Sequence, residues 1–365
     1  MEITQPTLVL NKTVCLRNIE LMSEKAKRHG LIFRPHFKTH QSIEVGNWFR
    51  NFGVEKITVS SVQMAHYFIK DGWNNITIAF PFNILQHAQL NEIAALSNIN
   101  IVFDNHIGAA QLKDKIKNEV GVFIKITTGF KRVGIAHNAF SEIDRLLDTI
   151  SQNPYLKFKG FISHAGHTYQ SKSKNEVQNI HFDQLKKMDA LKERYRSKYP
   201  DLLISTGDTP GCSVSEYFKG TDEIRPGNFV FYDLMQQQIG SCNIDDIAVR
   251  LHCPIISKQS YQNEIVIYGG AIHLSKDWIT NIDGKPLYGR VVIRKNNEPI
   301  LLNTTEYLCR LSQEHGVIKV SPKTFSAVEV GDIVEIIPVH SCLTAHAMGR
   351  YLTTKGETIS MMERF

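Results

Sequence analysis

Lys38 lies in a run of basic residues, "RPHFKTH" (Arg34–His40), directly after the apolar "LIF" of residues 31–33. Crowded positive charge lowers a lysine's pKa and leaves its amine nucleophilic at neutral pH, so Arg34, His36 and His40 are read as tuning that amine or orienting what binds to it. A basic surface turn is the competing reading. Further along, "TGFKRVG" carries Arg132, "SHAGHTY" carries His164 and Tyr169, "STGDTPGC" carries Thr209, and "RPGNFVFYD" carries Gly227 and Asn228. The last two are turns rich in backbone N–H groups that could converge on an anion. Near the end, "PVHSCLTAH" sets His340 two residues before Cys342, a spacing that on a strand points both side chains to one side. An imidazole and a thiolate together suit a borderline-soft ion such as Zn2+, and two protein ligands leave positions open for substrate and water.

Singly, these residues read blandly: Arg132 as a surface charge, His164 as a core histidine, Cys342 as a buried thiol. What matters is which elements carry them. Eight short β-branched runs recur: 31–37, 56–62, 75–80, 100–104, 121–128, 158–165, 201–207 and 223–231. Helix-like stretches with glycine stops separate most of them. That alternation predicts an α/β chain forming a parallel (β/α)8 TIM-type barrel rather than an open sheet. Working residues in such barrels sit at the C-terminal strand ends. Lys38 follows the first run, Arg132 the fifth, His164 ends the sixth, and Thr209 and Asn228 come with the seventh and eighth. A lysine at one strand end and N–H-rich turns after the seventh and eighth strands point to pyridoxal 5'-phosphate. Lys38 would be its covalent anchor, the turns would hold its phosphate, and Arg132 would sit over the ring or near its phenolic oxygen.

From about residue 245 the texture turns β-rich, with "GG", "NN" and "DG" turns and no long helix. This predicts a C-terminal antiparallel β domain, a sandwich or a barrel. The expected division is a barrel over 12–243 and a β domain over 244–365, joined by an N-terminal strand within 1–11 and carrying the metal-binding motif.

Several function classes are disfavoured. The charge of +6 (42 Lys and Arg against 36 Asp and Glu) is spread out, with no block of five like charges, so nucleic acid is not an expected partner. No apolar run is long enough to span a bilayer, and no charged n-region precedes an apolar h-region, so neither a membrane nor a secretory signal is expected. Six cysteines without CxxC spacing read as reduced thiols of a cytoplasmic protein. Walker A, GxGxxG, HExxH and GxSxG patterns are all missing, which turns the phosphate reading from a nucleotide to a cofactor.

Lys38 within "RPHFKTH", then "SHAGHTY", "STGDTPG", "EIRPGNFVFYD" and the late "HSC", in this order, resemble the D-serine dehydratase and D-threonine aldolase family over about residues 7 to 355. These are pyridoxal-phosphate enzymes of the alanine-racemase-like fold. The resemblance implies Lys38 as catalytic lysine and cofactor anchor. It implies Tyr169, Thr209, Gly227 and Asn228 as cofactor contacts beside His164 and Arg132, and His340 and Cys342 as zinc ligands. It also implies a homodimer acting on a small D-amino acid. One departure stands out: members often carry tyrosine two residues before the first histidine of "HAGH", and here that residue is Ile162. The implied activity is a lyase reaction on D-3-hydroxy amino acids. D-serine dehydration comes first, since a thiolate ligand suits zinc better than a harder ion. D-threonine aldolase and 3-hydroxy-D-aspartate dehydratase are the alternatives, and a non-catalytic pyridoxal-phosphate-binding protein is the reading from another class.

Overall fold

The eight apolar runs of the first two thirds become eight parallel strands in the computed structural model, which describes residues 2–295 and 298–363. They are Ile32–Phe33, Ile57–Val59, Asn75–Pro81, Asn98–Phe103, Val120–Thr127, Leu156–Ser163, Leu203–Thr206 and Glu223–Ile224. From the second strand to the eighth, each pairs in parallel with the next. The first pairs with the eighth, and a parallel bridge between His36 and Thr58 joins it to the second, so the ring closes. Strands covered on both faces need no alternation of polar residues, which explains the continuous apolar runs. Val102, Phe123 and Ile162 form one buried cluster, with Ala79 and Leu203 packed against it. Side chains from five consecutive strands, the third to the seventh, thus pack together, and Ile162 is part of that apolar cluster.

Serine caps start the helices that follow several strand ends. The hydroxyls of Ser42, Ser61 and Ser173 accept from the N–H groups of Val45, Met64 and Glu176. Each such cap contributes about 1 kcal/mol and keeps the strand-to-helix loop short. The eighth run departs from expectation, since only Glu223–Ile224 is strand and Asn228–Val230 is a 3-10 turn. Proline and glycine at 226 and 227 stop the strand there.

The chain divides into two compact units. One comprises Ile19–Gly227 and Ile239–Ser241; the other comprises the first 18 residues, Asn228–Gln238 and the chain from Cys242 onward. Asn228–Gln238 therefore group with the β unit, ahead of the break expected at 243/244.

In the β unit six strands, Val249–Gln259, Glu264–Tyr268, Gly289–Lys295, Tyr307–Leu311, His315–Lys319 and Ile333–Pro338, pair antiparallel into a closed ring. Of the two β architectures expected, the closed barrel is the one formed, which leaves no unpaired edge within the ring. The strand Thr7–Leu10 adds to it, antiparallel on Val249–Gln259 and parallel to Arg350–Thr353. Two stretches read as β are helical instead, Ala271–Leu274 and Ser341–Met348. The second ends on Gly349 at φ +68, a left-handed C-cap. Among the described residues no helix is long and apolar enough to cross a membrane. All six cysteines are free.

Candidate active site

The loop that carries Lys38 is clamped from below. Phe37 is fully buried, its ring 5.0 Å from those of Phe49 and Phe68 and 5.1 Å from Trp73. Its N–H donates to the Thr58 carbonyl at 2.9 Å, and its own carbonyl accepts from the Gln41 N–H at 3.0 Å. The Gln41 amide donates back to the Lys38 carbonyl at 3.0 Å, with Gln41 held at φ +48. A non-glycine residue in the left-handed region costs free energy and persists only where its surroundings hold it. The result is a fixed backbone with the Lys38 side chain exposed at the rim.

Arg34, His36 and His40 do not supply the positive crowding expected of them. Arg34 is buried and ion-paired, its Nε 2.6 Å from Glu223 Oε2 and its Nη1 2.7 Å from Asn75 Oδ1. His40 packs against the rings of Phe37 and Phe49, and burial pushes its pKa down to about 3. His36 is held well below the ordinary histidine range, first by burial and then by Lys38 and Arg225. At neutral pH the motif therefore holds two neutral imidazoles and one neutralised guanidinium. Periodicity in the sequence reads types, and the charge state depends on what each side chain meets.

His164, Tyr169 and Thr209 come together at the same rim. His164 Nδ1 donates to the Gly207 carbonyl at 2.7 Å, which fixes the neutral tautomer. Burial, then Lys125, hold this histidine well below its ordinary pKa. The Tyr169 ring lies 6.1 Å from His164, and its hydroxyl accepts from the Thr209 N–H at 3.3 Å. Gly207 has φ +148, and a Cβ there would stand 2.5 Å from the Arg225 nitrogen. At Gly227 a Cβ would meet His36 at 3.0 Å and Thr39 at 3.2 Å. Arg132 is exposed on the loop after the fifth strand, its guanidinium 5.4 Å from the Phe130 ring.

Three residues at this rim escaped the sequence reading. Arg225 is buried, its Nε donating to Ser205 Oγ and its Nη2 to the Ser163 carbonyl, both at 2.6 Å. Asp208 is a buried carboxylate that accepts from the Thr168 hydroxyl at 2.8 Å and the Gly211 N–H at 2.7 Å, with its pKa raised to about 6 by burial. Lys125 is held well below its usual range by burial, Arg225 and Arg132. A signal for Arg225 was available: Glu223 and Arg225 stand two apart beside an otherwise apolar strand, a pattern that puts an ionic network inside.

In the β unit His340 caps the helix Ser341–Met348, and Cys342 lies in its first turn. The strand spacing used to join them is therefore wrong, yet the two side chains still meet, hydrogen-bonded across the helix start. Asp277 Oδ2 stands 2.6 Å from His340 Nδ1, which leaves Nε2 as the nitrogen available to an ion. Burial pulls the His340 pKa down, but Asp277 and Cys342 outweigh it and raise it to about 10. Asn228 turns its side chain to this cluster: its Nδ2 lies 2.7 Å from Asp233 Oδ2, 3.1 Å from Ser341 Oγ and 3.4 Å from Cys342 Sγ. Its Nδ2 is thereby committed, which leaves its backbone and Oδ1 for the cofactor contact expected of it. Among the described residues no group of three or more His, Cys, Asp or Glu side chains forms a metal site.

Residues 14–234 match the family model "Alanine racemase, N-terminal domain", and residues 248–354 match a serine dehydratase domain model. A D-serine dehydratase from Dictyostelium discoideum is 30% identical over 95% of this chain and 92% of its own length. The chain belongs to the D-serine dehydratase and D-threonine aldolase family of alanine-racemase-like proteins. A D-threo-3-hydroxyaspartate dehydratase from Delftia sp. (strain HT23) is 25% identical, over 95% of this chain and 93% of that protein. Its solved structure aligns at 22% identity with a TM-score of 0.90, covering 100% of this chain and 98% of the other. The fold is alanine-racemase-like.

This family implies pyridoxal phosphate. The rim residues fit it on their own chemistry. The Thr209 hydroxyl is buried with no partner, beside a helix-start N–H, which is donor chemistry suited to a phosphate oxygen. Gly227 lets the backbone pass close to His36 and Thr39 where a side chain would collide. The imidazole and thiol of His340 and Cys342 likewise fit one borderline-soft ion with open positions.

Proposed function

We propose that this protein is a pyridoxal-phosphate- and zinc-dependent D-serine dehydratase, converting D-serine to pyruvate and ammonia. The full-length similarity to the Dictyostelium enzyme supports the substrate class. The observation that carries dehydration over carbon–carbon cleavage is the His340–Cys342 pair, since a nitrogen–sulfur donor set favours zinc over harder ions. Bound pyridoxal phosphate supplies the electron sink for the pair of electrons left at Cα. A zinc ion, which His340 and Cys342 would hold, would supply Lewis acidity.

Lys38 would anchor the cofactor covalently, and its amine, once the substrate has displaced it, would move the Cα proton from a backbone clamped by Phe37 and Gln41. The Thr209 hydroxyl would donate to the phosphate, with the Tyr169 hydroxyl, which accepts from the Thr209 N–H, beside it. His164, neutral and with Nδ1 committed to Gly207, presents an unprotonated Nε2 that accepts rather than donates. The Gly227 and Asn228 backbones and the Arg132 guanidinium complete the cofactor contacts. Loss of the proton from Cα and of hydroxide from Cβ yields the enamine, which water converts to keto acid and ammonia. Dehydration of D-threo-3-hydroxyaspartate is the second reading, favoured by the Delftia relative. We further propose a homodimer, and a cytoplasmic location, with which the six free thiols are consistent.

The test is to incubate the purified protein with pyridoxal phosphate and Zn2+, offer D-serine, D-threonine, D-threo-3-hydroxyaspartate and L-serine, and assay keto acid, aldehyde and ammonia. Pyruvate and ammonia from D-serine, in equal amounts, is the expected outcome. Acetaldehyde and glycine from D-threonine with no ammonia from any substrate would overturn the dehydratase reading.

A further inference from the structure

The β unit holds a buried carboxylate that no role so far uses. Asp233 is 1% exposed. Its Oδ2 accepts from the Asn228 Nδ2 at 2.7 Å, the Ser341 N–H at 3.0 Å and the Ser341 hydroxyl at 3.3 Å, and its Oδ1 accepts from the Gln236 N–H at 3.0 Å. Ser341 stands between His340 and Cys342 in the chain. One carboxylate therefore grips the residue that joins the proposed metal ligands and, through Asn228, a donor 3.4 Å from the Cys342 sulfur.

A carboxyl group is the side chain this arrangement suits. Four donors converge on it, and a carboxylate offers about four lone-pair sites on two oxygens. An amide would keep one acceptor and turn an NH2 toward other N–H groups. Acceptance by Asp233 also decides which way Asn228 faces: Nδ2 must point to the carboxylate, so it also serves Ser341 and Cys342. The Asn228 Oδ1 is left buried with no partner, an acceptor awaiting a donor or a cation. The hydrogen bonds converging on Asp233 hold Asn228 and Ser341 in one arrangement.

We propose that Asp233 is a positioning residue for the His340–Cys342 metal pair, fixing Ser341 and turning the Asn228 amide onto the Cys342 sulfur. This rests on the reading of that pair as zinc ligands, and the experiment separates the two. Zinc affinity is measured by chelator competition on the purified holoenzyme stripped of metal, for the native chain and for His340→Ala, Cys342→Ala and Asp233→Asn. Co2+ is then loaded in place of zinc and its thiolate charge-transfer band recorded. Ile265→Ala, in the sheet opposite Ile318, is the control for general destabilisation.

The expected result is zinc binding about 10- to 100-fold weaker in Asp233→Asn, the usual range for loss of a residue that orients a metal ligand. Its cobalt band is shifted or weakened, whereas Ile265→Ala has native affinity and a native band. Should Asp233→Asn fail to fold, Ser341→Ala replaces it. That variant removes the two hydrogen bonds of the Ser341 hydroxyl, to Asp233 and from Asn228, and is expected to weaken zinc about 3- to 10-fold. Native zinc affinity and a native cobalt band in the folded variant would overturn the proposal while leaving the metal pair standing. Zinc retained at native affinity by both His340→Ala and Cys342→Ala would overturn the metal reading itself.

Discussion

Two histidine-bearing segments treat the same side chain in opposite ways. At the barrel rim His36 and His40 lose their charge, because burial is opposed by no carboxylate and, for His36, is reinforced by Lys38 and Arg225. In the β unit the His340 pKa moves the opposite way, because Asp277 and Cys342 outweigh burial, so an ion taken at Nε2 would displace a proton there. Residue type is the same in both places, and the partner decides. The rim segment is held by main-chain clamps and aromatic packing, the metal segment by carboxylates. Mechanical positioning should thus dominate failure in the first, and electrostatic positioning in the second.

The sharpest break in the rim is Lys38→Ala. Loss of the covalent anchor and proton carrier is expected to abolish the bound-cofactor absorbance and lower kcat/KM by about 10⁴-fold, with the melting temperature little changed. Arg34, four residues earlier, tests the structural half of the same motif. Arg34→Met leaves the Glu223 carboxylate buried and without its ion pair, and should cost about 4 kcal/mol in urea unfolding. Its effect on kcat should follow from lost protein rather than lost chemistry.

The third test concerns charge in the aromatic cage. The folded pKa of His40, about 3, lies below its unfolded value of about 6.5, so its stability contribution is fully present above pH 6.5 and is lost as pH falls toward 3. Between pH 6.5 and 4 this amounts to about 3 kcal/mol. His40→Leu should remove that part of the slope when urea midpoints are compared across the range. The β unit supplies the smallest effect. Asp277→Asn keeps a hydrogen bond to His340 Nδ1 but removes the charge that supports it, and should weaken zinc about 10-fold by chelator competition. If Asp277→Asn changed nothing while Asp233→Asn did, geometry rather than charge would govern both segments.

Much of the architecture was readable from pattern. Continuous β-branched runs between helix-like stretches marked all eight barrel strands, because strands buried on both faces must be apolar throughout. The β-rich texture from about residue 245 likewise marked the antiparallel ring of the β unit. The departures share a cause. "PVHSC" reads as the end of a strand, but His340 caps a helix that local sequence barely signals, with no side-chain oxygen of the Ser, Thr or Asp type at the cap. "EIRPGNFVF" reads as one strand, but proline and glycine end it after two residues.

Chain order alone carries the strand count, the motif order and the family, since burial period and turn chemistry are local properties. Which basic residues are charged, which nitrogen of His340 is left for an ion, and which carboxylate orients Asn228 were decided only when distant segments met. Glu223 neutralises Arg34 across 189 positions, Asp277 reaches His340 across 63, and Asp233 reaches Ser341 across 108. A pKa is set by what lies within a few ångströms, and no local pattern records partners so far away along the chain.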